Sequence, residues 1–156
     1  MLIAIISDTH DDSVATHKAV EISKARCCEM IIHAGDICSP YTARIIKESG
    51  IPAHCVFGNN DGDRIHLAQI LDIKPAPRHI LADGKSFVIF HEPFINDYID
   101  SERVDFLVYG HTHKLSVDAR GAMKIINPGT ASGALVNTKT FVLLETLTSK
   151  VEIIEL

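Results

Sequence analysis

Five short apolar runs in this chain each stop at a carboxylate, a carboxamide or an imidazole. "LIAIIS" runs into Asp8-Thr9-His10, "MIIHA" into Gly35-Asp36 and "AHCVF" into Gly58-Asn59-Asn60-Asp61. "SFVIF" runs into His91, and "DFLVY" into Gly110-His111-Thr112-His113. Runs this short, rich in β-branched and aromatic residues and apolar on both faces, read as strands buried in a sheet. Where the strands of an open α/β sheet share a carboxyl-terminal edge, the residues that follow them line one cleft. The pattern restricts the fold to one that can gather those five ends.

The order of elements supports such a sheet. Between the first runs, residues 12–26 read as a helix opened by acidic residues, with Val14, Ala19, Val20 and Ile22 as its inner face. Residues 39–50 carry helix punctuation: Ser39 as N-cap, Pro40 at the first helical position and Gly50 just past the end. A third helix is expected around 63–71. The first seventy residues are therefore β-α-β-α-β-α, the grammar of parallel strands with crossover helices. After "KPAP" (74–77) it changes. Asp83-Gly84 between two apolar runs signals a hairpin, and residues 115–126 and 141–156 read as antiparallel pairs. The expectation is a mixed α/β protein, two sheets packed together with helices outside, forming a single domain over residues 1–156.

Composition excludes several classes. With 46% hydrophobic and 22% charged residues in 156, the chain can bury a core and reads as soluble and globular. A net charge of −5 argues against binding duplex nucleic acid through its backbone. No apolar run approaches the ~18 residues of a membrane span. The N-terminus lacks the basic segment of a secretory signal and belongs to the mature fold. Cysteines 27, 28, 38 and 55 form no C-x-x-C pair and read as reduced, mostly buried thiols, so a cytoplasmic location is expected.

The residues at the strand ends share one chemistry. Asp8, His10, Asp36, Asn59, His91, His111 and His113 offer oxygen and imidazole nitrogen without a thiolate, a set suited to Mn, Fe, Ni or Zn. Seven donors exceed one tetrahedral ion and suit a two-metal centre. In extended backbone the i, i+2 pairs Asp8/His10 and His111/His113 would point the same way. Glycines 35, 58 and 110 directly precede candidate ligands, where the backbone must turn or let other groups approach. His33 and His54 lie inside strands and are read as core or near-core residues that find a hydrogen bond. His17, His66 and His79 are assigned no role.

In order and spacing, "DTH" (8–10), "GD" (35–36), "GNND" (58–61), His91 and "GHTH" (110–113) resemble the calcineurin-like metallophosphoesterases. The short chain and "NPGT" (127–130) are similar to the small phosphodiesterase branch, whose relatives include a small scaffold subunit of the retromer coat. The resemblance implies a four-layer αββα sandwich of two mixed sheets flanked by helices. It also implies two divalent transition-metal ions, manganese foremost among Mn, Ni, Fe and Zn. Asp8, His10, Asp36 and His113 would hold the first and Asp36, Asn59, His91 and His111 the second, with Asp36 as bridge and Asp36, Asn59 and His91 counted as catalytic. The implied activity is hydrolysis of small phosphodiesters by attack of a metal-bound hydroxide on phosphorus. The alternative is a protein-interaction scaffold of the same fold, with or without metal.

Four further positions carry expectations. Asp61 is expected either to hold a ligating imidazole or to cap the following helix. Asn60 stands where larger members place an acidic histidine, which leaves the proton donor unassigned. Glu92-Pro93 replaces the Gly-His of close relatives, where Glu92 can supply an acid, discourage anionic substrates or be a plain loop residue. No arginine cluster accompanies the motifs to grip a dianion. The C-terminal strand edges leave a homo-oligomer open.

Overall fold

In the computed structural model, which describes residues 1–93, 99–134 and 136–156, the first seventy residues follow the expected order. β1 (Leu2–Ile6), β2 (Met30–His33) and β3 (Ala53–Val56) lie parallel, joined by α1 (Ser13–Ala25) and α2 (Pro40–Glu48). α3 (Arg64–Ile70) leads into β4 (Asp72–Lys74), a short parallel edge strand that the sequence reading passed over. The last two strands, β10 (Thr140–Glu145) and β11 (Lys150–Glu155), return to this sheet antiparallel, giving the order β11-β10-β1-β2-β3-β4.

The second sheet starts with the expected hairpin of β5 (Arg78–Ala82) and β6 (Lys85–Ile89). Asp83 and Gly84 both have positive φ, 50° and 71°, as a two-residue type I′ turn requires. β7 (Phe106–Val108), β8 (Ser116–Arg120) and β9 (Met123–Asn127) complete the order β5-β6-β7-β9-β8, in which β6, β7 and β9 are parallel. Both sheets are thus mixed, as expected.

Three clusters of apolar side chains set the layers. Ala19, Ala43, Ile46 and Leu67 from the helices pack on Ala4, Ile6, Ile31 and Cys55 of the first sheet. Between the sheets, Ile3, Ile5, Ile32 and Val142 meet Phe87, Ile89, Phe106 and Ile126, with the Phe87 and Phe106 rings stacked at 4.8 Å. On the outer face of the second sheet, Val88, Phe90, Leu107 and Met123 are covered by Ile99 and Val104. No described helix is long and apolar enough to cross a membrane.

Three local expectations are corrected. Val14 is 77% exposed; α1 buries Ala15, Thr16, Ala19, Val20 and Ser23 instead. Helical geometry explains this, because Val14 lies about 140° round the axis from Ala19. Ser39 occupies the N-cap of α2, but its hydroxyl donates to Asp11 rather than accepting a helix N–H. The four cysteines are free, yet only Cys28 and Cys55 are buried.

Because β1, β2 and β3 run one way in the first sheet and β6 and β7 are parallel in the second, the five polar strand ends can reach one edge of the sandwich. Core truncation should show how far this edge depends on the inter-sheet packing. Phe106→Ala is expected to lower stability by about 3–5 kcal/mol, and Val14→Ala by less than about 0.5 kcal/mol, measured as urea unfolding.

Candidate metal centre

Donor atoms from all five strand ends converge. His10 Nε2 lies 3.1 Å from His113 Nε2, and His113 Nε2 lies 3.2 Å from Asp8 Oδ1. His10 Nε2 is also 3.7 Å from Asp8 Oδ1 and 3.6 Å from Asp36 Oδ2. Beside this group, Asn59 Oδ1 is 3.0 Å from both His91 Nε2 and His111 Nδ1. His91 Nε2 reaches Asp36 Oδ2 at 3.3 Å and Asp8 Oδ1 at 4.0 Å. All seven predicted donors are therefore in one place, in two adjoining groups. Asp8 belongs both to the set with His10 and His113 and to the set with Asp36 and His91. Asp36 Oδ2 also stands between His10 and His91, so two carboxylates border both groups.

The backbone brings the donors together in a way the i, i+2 argument did not foresee. Asp8, His10, Asp36, His111 and His113 all have positive φ, between 40° and 67°, so none of these pairs is extended. Left-handed conformation is costly for residues with a Cβ and persists where surrounding contacts over-determine it. Those contacts are visible. Asp8 accepts from the Ser7 hydroxyl at 2.6 Å and from His111 N–H at 3.0 Å. Asp36 accepts from the backbone N–H of Asn60 at 2.8 Å and from its carboxamide at 2.7 Å. A Cβ on Gly58 would stand 2.1 Å from Asp36 Oδ1, and one on Gly35 2.5 Å from His91 Nδ1. These glycines are there because the Asp36 and His91 side chains occupy the space a side chain would need.

Asp61 meets neither expectation placed on it. Its buried carboxylate accepts backbone N–H groups from Gly58 at 2.7 Å, Asp36 at 3.1 Å and Cys38 at 2.7 Å. No imidazole is among these partners, and the cap of α3 is Asp63, whose side chain accepts from His66 N–H. Asp61 ties the Asp36 loop to the Asn59 loop. Burial pushes its pKa up, against the lowering effect of the donated hydrogen bonds.

The "NPGT" residues do comparable work across the edge. Asn127 donates to Gly110 carbonyl and to the Thr112 hydroxyl, steadying the loop that carries His111 and His113. Thr130 donates to Asp8 carbonyl at 2.7 Å.

The electrostatics favour a cation. The hydrogen bond with Asp8 raises the pKa of His10, despite partial burial. Burial alone would lower that of His91, but its hydrogen bonds with Asp36 and Ala34 carbonyl raise it. Burial likewise opposes charge on Asp36, yet hydrogen bonds from His91 and Asn60 hold its carboxyl well below the usual carboxylate range. A field that draws protons to imidazoles draws metal cations to the same lone pairs. Nδ1–H of His91 donates to Ala34 carbonyl at 2.7 Å, so when the imidazole is neutral its Nε2, facing Asn59 and Asp36, carries the lone pair. Such a fixed tautomer is what a metal-ligating histidine needs. The donor set and its spacing thus fit divalent metal ions.

Other histidines separate from the site. His33 is fully buried; its Nε2 meets the Thr9 hydroxyl at 3.3 Å, while Nδ1 has no partner among the described residues. His54 is half-buried and pairs with Asp72 and Arg78. The sequence reading missed Arg64, whose guanidinium donates to Gly58 and Asp61 carbonyls, and Lys114, which lines the cavity over the cluster. Their adjacency to Asp63 and His113 was the available signal.

Two outcomes follow from these contacts. Asp61→Ala leaves three N–H groups without their acceptor and should cost on the order of 3 kcal/mol or more, with weaker metal uptake in the protein that still folds. His33, buried and neutral, has its pKa lowered to about 4 by burial. The unfolded chain binds this proton near the ordinary 6.5, so stability is full above that pH and falls as pH drops toward about 4. The loss is on the order of 3 kcal/mol. Urea midpoints at neutral and acid pH should decline less in His33→Gln than in the parent.

Comparisons with known proteins bear on the chain as a whole. The sequence model of the calcineurin-like phosphoesterase superfamily domain matches residues 1–149. A phosphodiesterase of Methanocaldococcus jannaschii is 32% identical over 157 residues, covering 94% of this chain and 93% of its own. The solved structure of an archaeal phosphodiesterase superposes with a TM-score of 0.93 at 30% identity, covering all of both chains. The fold extends to Vps29 of Entamoeba histolytica, solved with zinc, at a TM-score of 0.74 and 22% identity over 99% of each chain. Matched over nearly its whole length, the chain belongs to the calcineurin-like phosphoesterase superfamily.

Proposed function

We propose that this chain is a phosphodiesterase that hydrolyses small phosphodiesters at a two-metal centre, with residues 1–156 working as one domain. The observation that carries this reading is the pair of adjoining donor groups, Asp8/His10/His113 and Asn59/His91/His111, bordered by Asp8 and Asp36. Divalent ions bound there, Mn or a similar transition metal, supply Lewis acidity toward phosphoryl oxygens and acidify water near neutral pH. In the proposed allotment Asp8, His10, Asp36 and His113 would hold the first ion, and Asp36, Asn59, His91 and His111 the second.

The chain's own residues account for the rest. Asp36, almost wholly buried, provides the negative charge that two neighbouring cations need between them. Asn60 spends its backbone and side-chain N–H groups on Asp36, so it orients that carboxylate and supplies no acid. Thr112 and Lys114 line the cavity over His10, Asp36 and His111, where the lysine draws an anionic ester toward the centre. Among the described residues Lys114 is the one Lys or Arg in the lining of that cavity, which suits the single charge of a diester better than a dianionic monoester. The phosphodiesterase relative supports the same choice. The net charge of −5 favours a small substrate over a nucleic-acid strand, and four free thiols agree with a reducing compartment.

The test is hydrolysis of bis(4-nitrophenyl) phosphate and 4-nitrophenyl phosphate with Mn²⁺ or Ni²⁺, with chelator as control. Metal-dependent turnover of the diester about tenfold or more above the monoester is expected; a reversed preference would overturn the substrate class. Metal analysis tests the allotment. Asp36→Asn should release both ions and Asn59→Ala mainly one, whereas equal loss in the two variants contradicts it.

A further inference from the structure

Two cavities of about 410 Å³ each flank the candidate centre. The first lies over His10, Asp36, His111 and His113. The second begins at Asn59 and runs over Phe57, Arg64, Pro75, Ala76 and Glu92. A monoester brings one organic arm to the centre and a diester brings two. We propose that the second cavity is a subsite for a nucleoside arm of the substrate, with Arg64 as the platform for its base and Glu92 as acceptor of the base's N–H groups. This assignment rests on the phosphodiesterase reading.

Arg64 is exposed but not loose. Its Nε donates to Asp61 carbonyl and its Nη2 to Gly58 carbonyl, both at 3.2 Å. Its guanidinium carbon stands 5.1 Å from the centroid of the Phe57 ring. A planar cation held at three points has given up its rotamer freedom before any ligand arrives. It offers a flat surface suited to stacking a heterocycle.

The lining also selects against other arms. Arg64, Glu92 and Asn59 make the cavity too polar for an acyl chain. A glycerol or methyl arm has no flat group to match the platform. The Glu92 side chain offers acceptor oxygens, which suits the donor edge of a base such as guanine. The arm should therefore be a nucleoside. Asn59, a proposed metal ligand, is among the residues that line it, so the subsite adjoins the proposed centre.

Binding and kinetics together test this. The full chain, with chelator present, is titrated with guanosine and separately with ribose, and followed by NMR of the Phe57 ring and Arg64 side chain. Guanosine should shift both sets of signals and ribose neither, and Arg64→Ala should remove the response. In the metal-loaded protein, the 4-nitrophenyl ester of guanosine 5′-phosphate should exceed methyl 4-nitrophenyl phosphate about tenfold in kcat/KM. Arg64→Ala and Arg64→Lys should both collapse that ratio through KM, because lysine keeps the charge but not the plane. Glu92→Gln should reduce the ratio for guanosine more than for uridine.

Each failure has its own meaning. If the methyl ester is hydrolysed and guanosine brings neither preference nor shifts, the subsite is wrong and the phosphodiesterase reading stands. If no ester is hydrolysed, that reading fails, and absence of guanosine shifts in the chelated protein then overturns the subsite as well. A ratio unchanged in Arg64→Ala also overturns it.

Discussion

The carboxylates of Asp8 and Asp36 are withdrawn almost completely from water, at 0% and 1% exposure, within a few ångströms of one another. An ionised carboxylate in such a place costs several kcal/mol unless donors or cations surround it. Much of the architecture of this edge follows from meeting that requirement. Ser7 and the backbone of His111 serve Asp8, while Asn60 and His91 serve Asp36. The imidazoles complete the compensation, and the same arrangement leaves a strongly negative point where divalent cations are favoured.

Holding so many polar groups at one point demands unusual backbone. Five of the seven donors sit on left-handed residues, and the neighbouring glycines are pressed against ligand atoms. Such strain persists because Asp61 collects three N–H groups from two loops and because Asn127 and Thr130 brace the remaining ones. The sheets supply the stiffness beneath. Their shared core of isoleucine, valine and phenylalanine fixes the separation at which His91 meets Ala34 and His111 meets Asp8.

Membership of the phosphoesterase superfamily gives this edge its chemistry, and the surroundings give it direction. Lys114 on one side and the pinned Arg64 on the other provide cationic groups on a chain that is acidic overall. The centre is thus approached between two differently lined cavities. Asn60 is committed to Asp36 through its backbone and side-chain N–H groups.

The sequence alone was sufficient for the strand ends, the parallel first half, the hairpin at Asp83-Gly84 and the seven polar side chains that meet at one edge, because each is written in short-range periodicity or in residue type next to a strand. It was also sufficient to require glycine at 35, 58 and 110. It misled on Val14, where an apolar residue lies off the buried face of its helix, and on Asp8/His10 and His111/His113, where extended spacing was assumed and the backbone turns left-handed. It did not reveal the part played by Asp61, whose N–H donors lie up to 25 positions away, nor Arg64 beside Asn59, nor Asp8 as a carboxylate common to both groups. Those properties belong to the tertiary structure. Which donors face one another, and which loops share a carboxylate, depends on the packing of two sheets against each other, and no local pattern encodes that distance.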